Sequence, residues 1–264
     1  MRKYLYAYAL SLQNFLQLRA TLLMDRLGGL AMIATLYFFW SAIIPAGGKF
    51  LGYDRPRMLT YVLGMNILRS FVFTGRGWEL VREISSGRIS GYLLRPIDYR
   101  GYSLALDLAQ KTLHLASSVF EVALLALLLR APLYLPSDPR TWALFVVAIA
   151  LASLTFFLLE FSVSSLAFWT SESAGPLFCF ELFLQFAAGT FFPLDVLPNA
   201  LQSALNRTPF PYMVFFPMQI LLERVAPHQA ARIIGIEAFW LAAAFAVSAA
   251  VWKRGIANYS AEGG

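Results

Sequence analysis

The chain has 264 residues, of which 59% are hydrophobic and 14% are charged, and its mean hydropathy is +0.62. Soluble domains contain roughly 45–50% apolar and about 25% charged residues, so the composition excludes an ordinary soluble domain and indicates an integral membrane protein. The formal net charge of +6 is explained by basic residues beside membrane spans and does not indicate a nucleic-acid partner.

The N-terminal segment, residues 1–26, is interrupted too often by polar side chains to be a secretory signal. Leu5 contributes to one apolar helical face, and Tyr4, Tyr6 and Tyr8 are of the aromatic type found at membrane surfaces. We predict a helix that lies along the cytoplasmic interface. The alternative is a cytoplasmic extension of the first span.

Six apolar stretches approach the ~20 residues needed to cross ~30 Å of hydrocarbon. They lack the alternating pattern of β-strands, so helices are predicted and a barrel is not. The expected fold is all-α, a single transmembrane domain, 1–264, with six transmembrane helices. The predicted spans are residues 27–44, 58–73, 104–129, 142–169, 174–192 and 233–252.

The orientation follows from lysine and arginine residues near the ends of the spans, which favour the cytoplasmic side. These residues are more frequent on the side of the N-terminus, where we count Lys111 among them. Both termini and the segment between the second and third spans are therefore predicted to be cytoplasmic.

That segment, residues 75–101, is too polar to lie in lipid, and its apolar residues recur at helical spacing. We interpret it as a docking element for a soluble partner, with apolar knobs, orienting charges and turn residues. The alternative is a solvated loop that carries positive charge only because it is cytoplasmic. The predicted docking residues are Trp78, Arg82, Glu83, Ile84, Gly87, Arg88, Leu93, Arg95 and Pro96.

A second unusual segment, residues 193–230, precedes the last span and is rich in proline, which prevents one continuous helix. We predict short interfacial or re-entrant helices that cap a pathway from outside, because broken backbone at membrane depth must be covered by protein or water. An ordinary external loop is the alternative. The predicted external gate residues are Phe192, Pro193, Pro198, Pro209 and Pro217.

Ionisable residues inside predicted spans are costly in lipid and are therefore functional candidates. We predict that Arg69 pairs with Glu181 or Glu160, because the three lie at similar depth. The alternative for all of them is structural pairing between helices. The candidates are Arg69, Glu121, Glu160, Glu181 and Glu237.

Two other functional classes stay open. An intramembrane enzyme would use acid and base groups such as Asp107, His114 and Glu121, which follow one another at near-helical spacing. An ion-driven secondary transporter would use intramembrane carboxylates such as Glu160 and Glu181.

The sequence contains no motif for binding a nucleotide or a metal ion. No stretch fits GxxxxGK[ST], so we expect no ATP binding by that mechanism. The two histidines lie far apart and Cys179 is the single cysteine, so we expect no metal centre and no catalytic residues of the Cys/His type.

Three motifs resemble the type 2 ABC transporter permeases: GRISGYLLRPID at 87–98, FFPLDVLP at 191–198 and TPFPY at 208–212. The resemblance implies an exporter subunit with a cytoplasmic coupling helix at about 77–96 and short external helices at about 193–222. It also implies a separate ABC ATPase subunit that holds ATP and magnesium, with no cofactor in this chain. A second permease, identical or related, would complete the pathway in a bacterial inner membrane.

Overall fold

The computed structural model describes residues 2–17, 19–44, 47–170 and 172–259, with side chains described except at positions 2 and 14–26. Within these ranges the chain is predominantly helical, with one two-stranded antiparallel hairpin. The elements are α1 (Arg2–Gln17), α2 (Arg19–Ile43), β1 (Lys49–Phe50), β2 (Tyr53–Asp54), α3 (Arg55–Val72), α4 (Gly77–Ser85), α5 (Ile89–Leu93), α6 (Tyr99–Leu128), α7 (Pro139–Ser164), α8 (Ala174–Ala187), α9 (Asn199–Leu205), α10 (Phe210–Met213), α11 (Phe215–Leu221) and α12 (Pro227–Asn258), with 3-10 turns at Ser165–Phe168 and Leu194–Val196.

Three of these helices, α6, α7 with its 3-10 extension, and α12, are long and apolar enough to cross a membrane. The stretches Leu27–Ile43 and Ala174–Ala187 are apolar but shorter. The prediction of an all-helical polytopic membrane protein is confirmed. The fifth predicted span ends earlier than expected, at Ala187, because the chain turns at Gly189, whose φ of +78° favours glycine.

Aspartate side chains fix where three helices begin. Asp54 accepts a hydrogen bond from the backbone N–H of Arg57 at 2.9 Å, Asp98 from that of Gly101 at 2.8 Å, and Asp138 from that of Arg140 at 2.8 Å. In α3 and α7 a proline also occupies the first turn, where its missing N–H costs nothing. These caps define the entry points of α3, α6 and α7.

Helix α7 lies at the centre of the bundle and packs against α3, α4, α8, α10, α11 and α12. Small residues face the interior of this packing, including Ala148 and Ala152 of α7 and Ala244 and Ser248 of α12, all of them buried. Such residues allow the close backbone approach on which helix association in lipid depends.

The bundle has two chemically different ends. We call the end with α4 and α5 the α4 end, and the end with the β1–β2 hairpin the hairpin end. Both described chain ends lie at the α4 end. Lys3 donates to the carbonyl of Pro96 at 2.7 Å, and the hydroxyls of Ser90 and Tyr259 lie 3.2 Å apart.

The N-terminal helix α1 packs along α6, where the hydroxyl of Tyr8 donates to that of Thr112 at 3.0 Å. The predicted segment 1–26 corresponds to α1 together with the first turns of α2, and its side chains at 14–26 lie outside the described residues. Its placement along a membrane surface stays a prediction.

Lys111 does not lie where the orientation prediction placed it, among the basic residues of the cytoplasmic side. It is 0% exposed and not at the cytoplasmic surface, and its Nζ lies 3.2 Å from Asp107 Oδ2, one helical turn earlier on α6. Lys111 also donates to the Ser153 hydroxyl at 2.9 Å and to the Val72 carbonyl at 3.3 Å, so it joins α6 to α7 and α3. Removing one member of such a buried pair leaves an uncompensated charge.

We expect Lys111→Met to lower stability by about 3–5 kcal/mol, because Asp107 is left charged and buried. The double variant Asp107→Leu, Lys111→Met removes both charges and should recover most of the loss. Thermal unfolding in detergent measures both, with the exposed Lys253→Met as the control. A double variant as unstable as the single one would show that the pair does not act as a unit.

Candidate functional site

A central cavity of about 300 Å³ lies between α2, α3, α6, α7 and α8. Its wall combines charged, amide and aromatic side chains, which is unusual for a surface inside a membrane bundle. The lining residues are Gly29, Asn66, Arg69, Ser70, Phe73, Thr74, His114, Glu121, Phe156, Glu181, Leu184 and Gln185.

The cavity brings together Arg69, Glu121 and Glu181, three of the five charged residues predicted from the sequence. Arg69 and Glu181 therefore share one site, as the pairing hypothesis requires, although their direct ion pair stays a prediction. Glu160 does not line this cavity, so matched depth along the helices was not sufficient to place it there.

Glu160 instead lies beneath the start of α4. It is 4% exposed, and its carboxylate occupies the space beside Gly75 and Gly77 where side chains would otherwise project. A Cβ atom added to Gly77 would lie 2.7 Å from the hydroxyl of Ser164, so this approach requires glycine. The two glycines let the α3–α4 connection sit directly on α7.

Helix α4 is held on the bundle by its inner face. Leu80 and Ile84 are 2% and 3% exposed and pack against aromatic residues of α6, α7 and α12. The Tyr99 hydroxyl donates to the Glu83 carboxylate, and Arg76 Nη2 lies 3.4 Å from Glu83 Oε1. Apolar burial and a charged hydrogen bond thus fix α4 in position.

One residue of α4 connects it to the central cavity. The side chain of Trp78 lies beside the carboxyl group of Glu181 in α8, and the indole N–H is the only donor that this side chain has. Glu181 also lines the cavity, so α4 lies next to the cavity wall at this point.

The outer face of the α4–α5 segment forms a basic surface with apolar positions. Trp78 is 38% exposed and Leu94 is 88% exposed. Gly87, with φ of +74°, makes the turn between the two helices. We define the docking surface by its exposed residues, which are Trp78, Arg82, Arg88, Leu94, Arg95 and Pro96.

At the hairpin end a group that we call the polar lock joins three separate segments. The Tyr53 hydroxyl donates to Asp195 Oδ2 at 2.8 Å and accepts from Gln219 Nε2 at 2.5 Å. Arg224 lies 3.4 Å above the centre of the Tyr53 ring and 3.5 Å from Asp195 Oδ2. Tyr53, Asp195, Gln219 and Arg224 thereby tie the hairpin to α11 and to the segments before and after it.

Helices α10 and α11 fill the bundle beneath the polar lock. Met213, Val214, Met218 and Leu222 are almost completely buried in the main hydrophobic core. The predicted break of this segment into short helices agrees with the structure, and protein covers the broken backbone as expected. Pro193 and Pro217 are buried, Phe192 and Pro209 are half-buried, and Pro198 is exposed.

A family model described as ABC-2 family transporter protein matches residues 30–263. The chain belongs to the ABC-2 transporter family. The curated proteins and the solved structures contain no significant match. The function is therefore that of a transport permease in a membrane, and the resemblance seen in the sequence motifs is confirmed.

Within this permease, three predicted docking residues are placed differently from the expectation. Glu83 is 7% exposed and binds Tyr99 and Arg76, and Ile84 is buried in the core, so neither is free to touch a partner in this conformation. Leu93 is half-buried against the same cluster, and its neighbour Leu94 is the exposed apolar residue. Ile84 points inward because it continues the apolar face of α4, Glu83 is held inward by Tyr99 and Arg76, and Leu93 lies at the end of α5.

Glu237 of α12 is also placed away from the cavity. It is 1% exposed, and neither carboxylate oxygen has a hydrogen-bond partner within the described ranges. The proposed acid–base set of an enzyme is not assembled either, since His114 and Glu121 line the cavity whereas Asp107 is bound to Lys111.

Sequence reasoning missed the pair Asp107–Lys111 and the polar lock. The first had a readable signal, because an acid and a base four residues apart share one helix face. The polar lock had none, because Tyr53 and Gln219 are separated by 166 positions and meet only in the fold.

The polar lock predicts a pH-dependent stability. Burial, followed by the nearby charge of Asp195, raises the pKa of Tyr53 above its ordinary value of 10.0. The protonated phenol is thus the form that stabilises the fold. Its contribution is fully present below pH 10 and is lost as pH rises toward the folded-state pKa.

We expect Tyr53→Phe to lower stability by about 1–3 kcal/mol near neutral pH, since two hydrogen bonds are lost and Asp195 and Gln219 are left without this partner. The difference from the wild type should shrink as pH rises above 10. Unfolding temperatures between pH 8 and pH 11.5 measure it, with Tyr6→Phe, at a 72% exposed position, as the control. A difference that is constant with pH would contradict the assignment.

Proposed function

We propose that this permease is the membrane subunit of an ATP-driven exporter and that a separate ABC ATPase binds the docking surface. The supporting observation is the proximity of Trp78 to Glu181, because it connects an exposed residue of α4 with the wall of the central cavity. ATP and magnesium would be bound by the ATPase subunit.

The proposed mechanism uses α4 as a rigid element. Its inner face is fixed by Leu80, Ile84 and Glu83, so a push from the ATPase moves the helix as a unit. Trp78 then displaces Glu181, and the close contact of Gly75 and Gly77 with Glu160 transmits the movement to α7. Both routes shift helices that form the wall of the cavity, α8 in the first case and α7 in the second.

The release side in this proposal is the hairpin end, which the polar lock and α10–α11 close. Opening requires that Asp195 and Arg224 separate from Tyr53, and the predicted gate prolines flank the parts that move. A second permease, identical or related, would supply the other half of the pathway. The α4 end and both termini would be cytoplasmic, in a bacterial inner membrane.

Affinity purification from detergent-solubilised native membranes tests the docking proposal. We expect an ATPase to copurify with the tagged wild type. The variant Trp78→Ala, Arg82→Ala, Arg88→Ala should recover at least about tenfold less of this ATPase, since anchors and charges at an interface carry most of the affinity.

The matched control is Trp142→Ala, Arg140→Ala, Arg207→Ala. It removes one tryptophan of similar exposure, 40% against 38%, and two exposed arginines, all outside the α4–α5 segment. Equal loss of the ATPase in both variants, or recovery of none with the wild type, would overturn the proposal.

Trp78→Phe separates docking from transmission. The phenyl ring keeps an apolar contact for the partner but has no N–H for Glu181. We expect ATPase recovery within about twofold of the wild type and a transport-linked ATPase activity reduced by about five- to tenfold, which corresponds to about 1 kcal/mol for the lost polar interaction with Glu181. Unchanged coupling in this variant would show that the Trp78–Glu181 contact transmits nothing.

A further inference from the structure

A groove of about 580 Å³ lies between α1 and α6 at the α4 end of the bundle. One wall is a stripe of α1 that includes Ala7 and Leu10, and the other is a stripe of α6 that includes Tyr102, Leu106 and Gln110. Residues four apart lie above one another on a helix, so each stripe follows the groove along its length. The groove is not enclosed, since Leu10 remains 45% exposed.

The groove runs from the end of a membrane helix towards its middle. Helix α6 has 30 residues and is about 45 Å long, whereas the hydrocarbon core is about 30 Å thick, so the ends of α6 project beyond the core. The groove begins beside the first turn of α6 and reaches Gln110, about 12 Å beyond Tyr102. It therefore leads from the headgroup region into the apolar part of a bilayer.

Two exposed basic side chains, Lys3 and Arg95, lie at the outer end of the groove, which we call its mouth. Lys3 donates to the carbonyl of Pro96 at 2.7 Å and has further N–H donors on the same ammonium group. Across the described residues, neither Lys3 nor Arg95 has a carboxylate within ion-pair distance. Both can therefore bind an anion from outside the chain.

The acidic residues around the mouth are already engaged. Glu79 lines the groove and lies 3.2 Å from Arg82, and Glu83 lies 3.4 Å from Arg76, a third basic residue of the lining. The carboxylate of Asp98 accepts the backbone N–H that begins α6. The basic groups in and beside the mouth thus outnumber the acidic ones, and the excess charge is positive.

A basic mouth that continues into an apolar groove fits an anionic phospholipid. A small soluble anion would use the mouth alone and would leave Leu10 and Leu106 without an apolar ligand. Tyr6 and Tyr102 also line the groove, and tyrosine is typical of headgroup depth. Basic pockets between membrane helices bind anionic lipid headgroups by the same combination of charge and apolar contact.

We propose that this groove binds one anionic phospholipid in the leaflet on the side of the α4 end. Its phosphate lies between Lys3 and Arg95, and one acyl chain follows Leu10 and Leu106 towards Gln110. This inference goes beyond the proposed export function, since the lipid would bind whether or not an ATPase is present. The site adjoins the docking surface at Arg95 and contacts α4 through Arg76 and Glu79.

Mass spectrometry of the intact, full-length permease in non-ionic detergent tests the lipid preference. The probes are phosphatidylglycerol and phosphatidylcholine with the same acyl chains. We expect the first phosphatidylglycerol to bind at least about tenfold more tightly, because each basic group near an anionic headgroup is worth about fivefold. Equal affinity for the two lipids in the wild-type protein would overturn the proposal.

Two variants locate the site. Lys3→Gln removes a charge from the mouth and should weaken phosphatidylglycerol by about fivefold. Ala7→Phe places a ring in the groove and should weaken it by about tenfold or more, since the space for the acyl chain is filled.

The matched controls are Lys253→Gln and Ala9→Phe. The first removes an exposed lysine at the same end of the bundle, and the second adds the same ring at an exposed position of α1 that does not line the groove. Both should bind phosphatidylglycerol within about twofold of the wild type. Wild-type affinity in Lys3→Gln and Ala7→Phe, or equal loss in the controls, would show that the lipid binds elsewhere.

Glycerol 1-phosphate separates a lipid from a soluble anion, because it carries the phosphate without acyl chains. We expect no displacement of phosphatidylglycerol by a thousandfold excess of glycerol 1-phosphate. Displacement at comparable concentrations would assign the mouth to a soluble phosphate and refute the lipid. The titrations contain no ATPase, so their outcome is independent of the docking experiment.

Discussion

The position of α4 depends on how a nine-residue helix is held at the end of a membrane bundle. A helix of this length is not stable alone, so its geometry is set by what it packs against. Glu83, bound by Tyr99 and Arg76, prevents α4 from rotating about its axis. The buried side chains of Leu80 and Ile84 keep α4 packed against the bundle. The exposed arginines, the Trp78 contact with Glu181 and the approach to Glu160 all follow from that fixed orientation.

The two ends of the permease solve different physical problems. At the α4 end a small element must be rigid and yet reachable, so its anchors are buried and its charges are outside. At the hairpin end several segments close together over the bundle, and in the proposed mechanism they separate again. Polar contacts suit that purpose, because the hydrogen bonds of Tyr53 and the ion pair of Arg224 can be exchanged for water when the segments part.

The sequence predicted the membrane class, the helical fold and the two unusual segments because each depends on local composition. Runs of apolar residues define spans, and the prolines of 193–230 exclude a continuous helix wherever they lie. The sequence alone could not predict the contact of Glu160 with Gly75 or of Tyr53 with Gln219, since these contacts depend on the packing of segments that are distant in the chain. Leu93 and Leu94 show the same limit on a smaller scale: one residue of offset decides which leucine is exposed.

Helix α12 begins three residues after Arg224 of the polar lock, and the residue that follows its last turn, Tyr259, touches Ser90 in α5. Its 32 residues form an unbroken rod of about 48 Å, which is longer than the hydrocarbon core is thick. A rod of this kind is stiff along its axis, so a piston-like shift at one end arrives at the other undiminished. In the proposed export cycle, the last helix would connect the two faces of the membrane mechanically, along a route that does not involve the cargo.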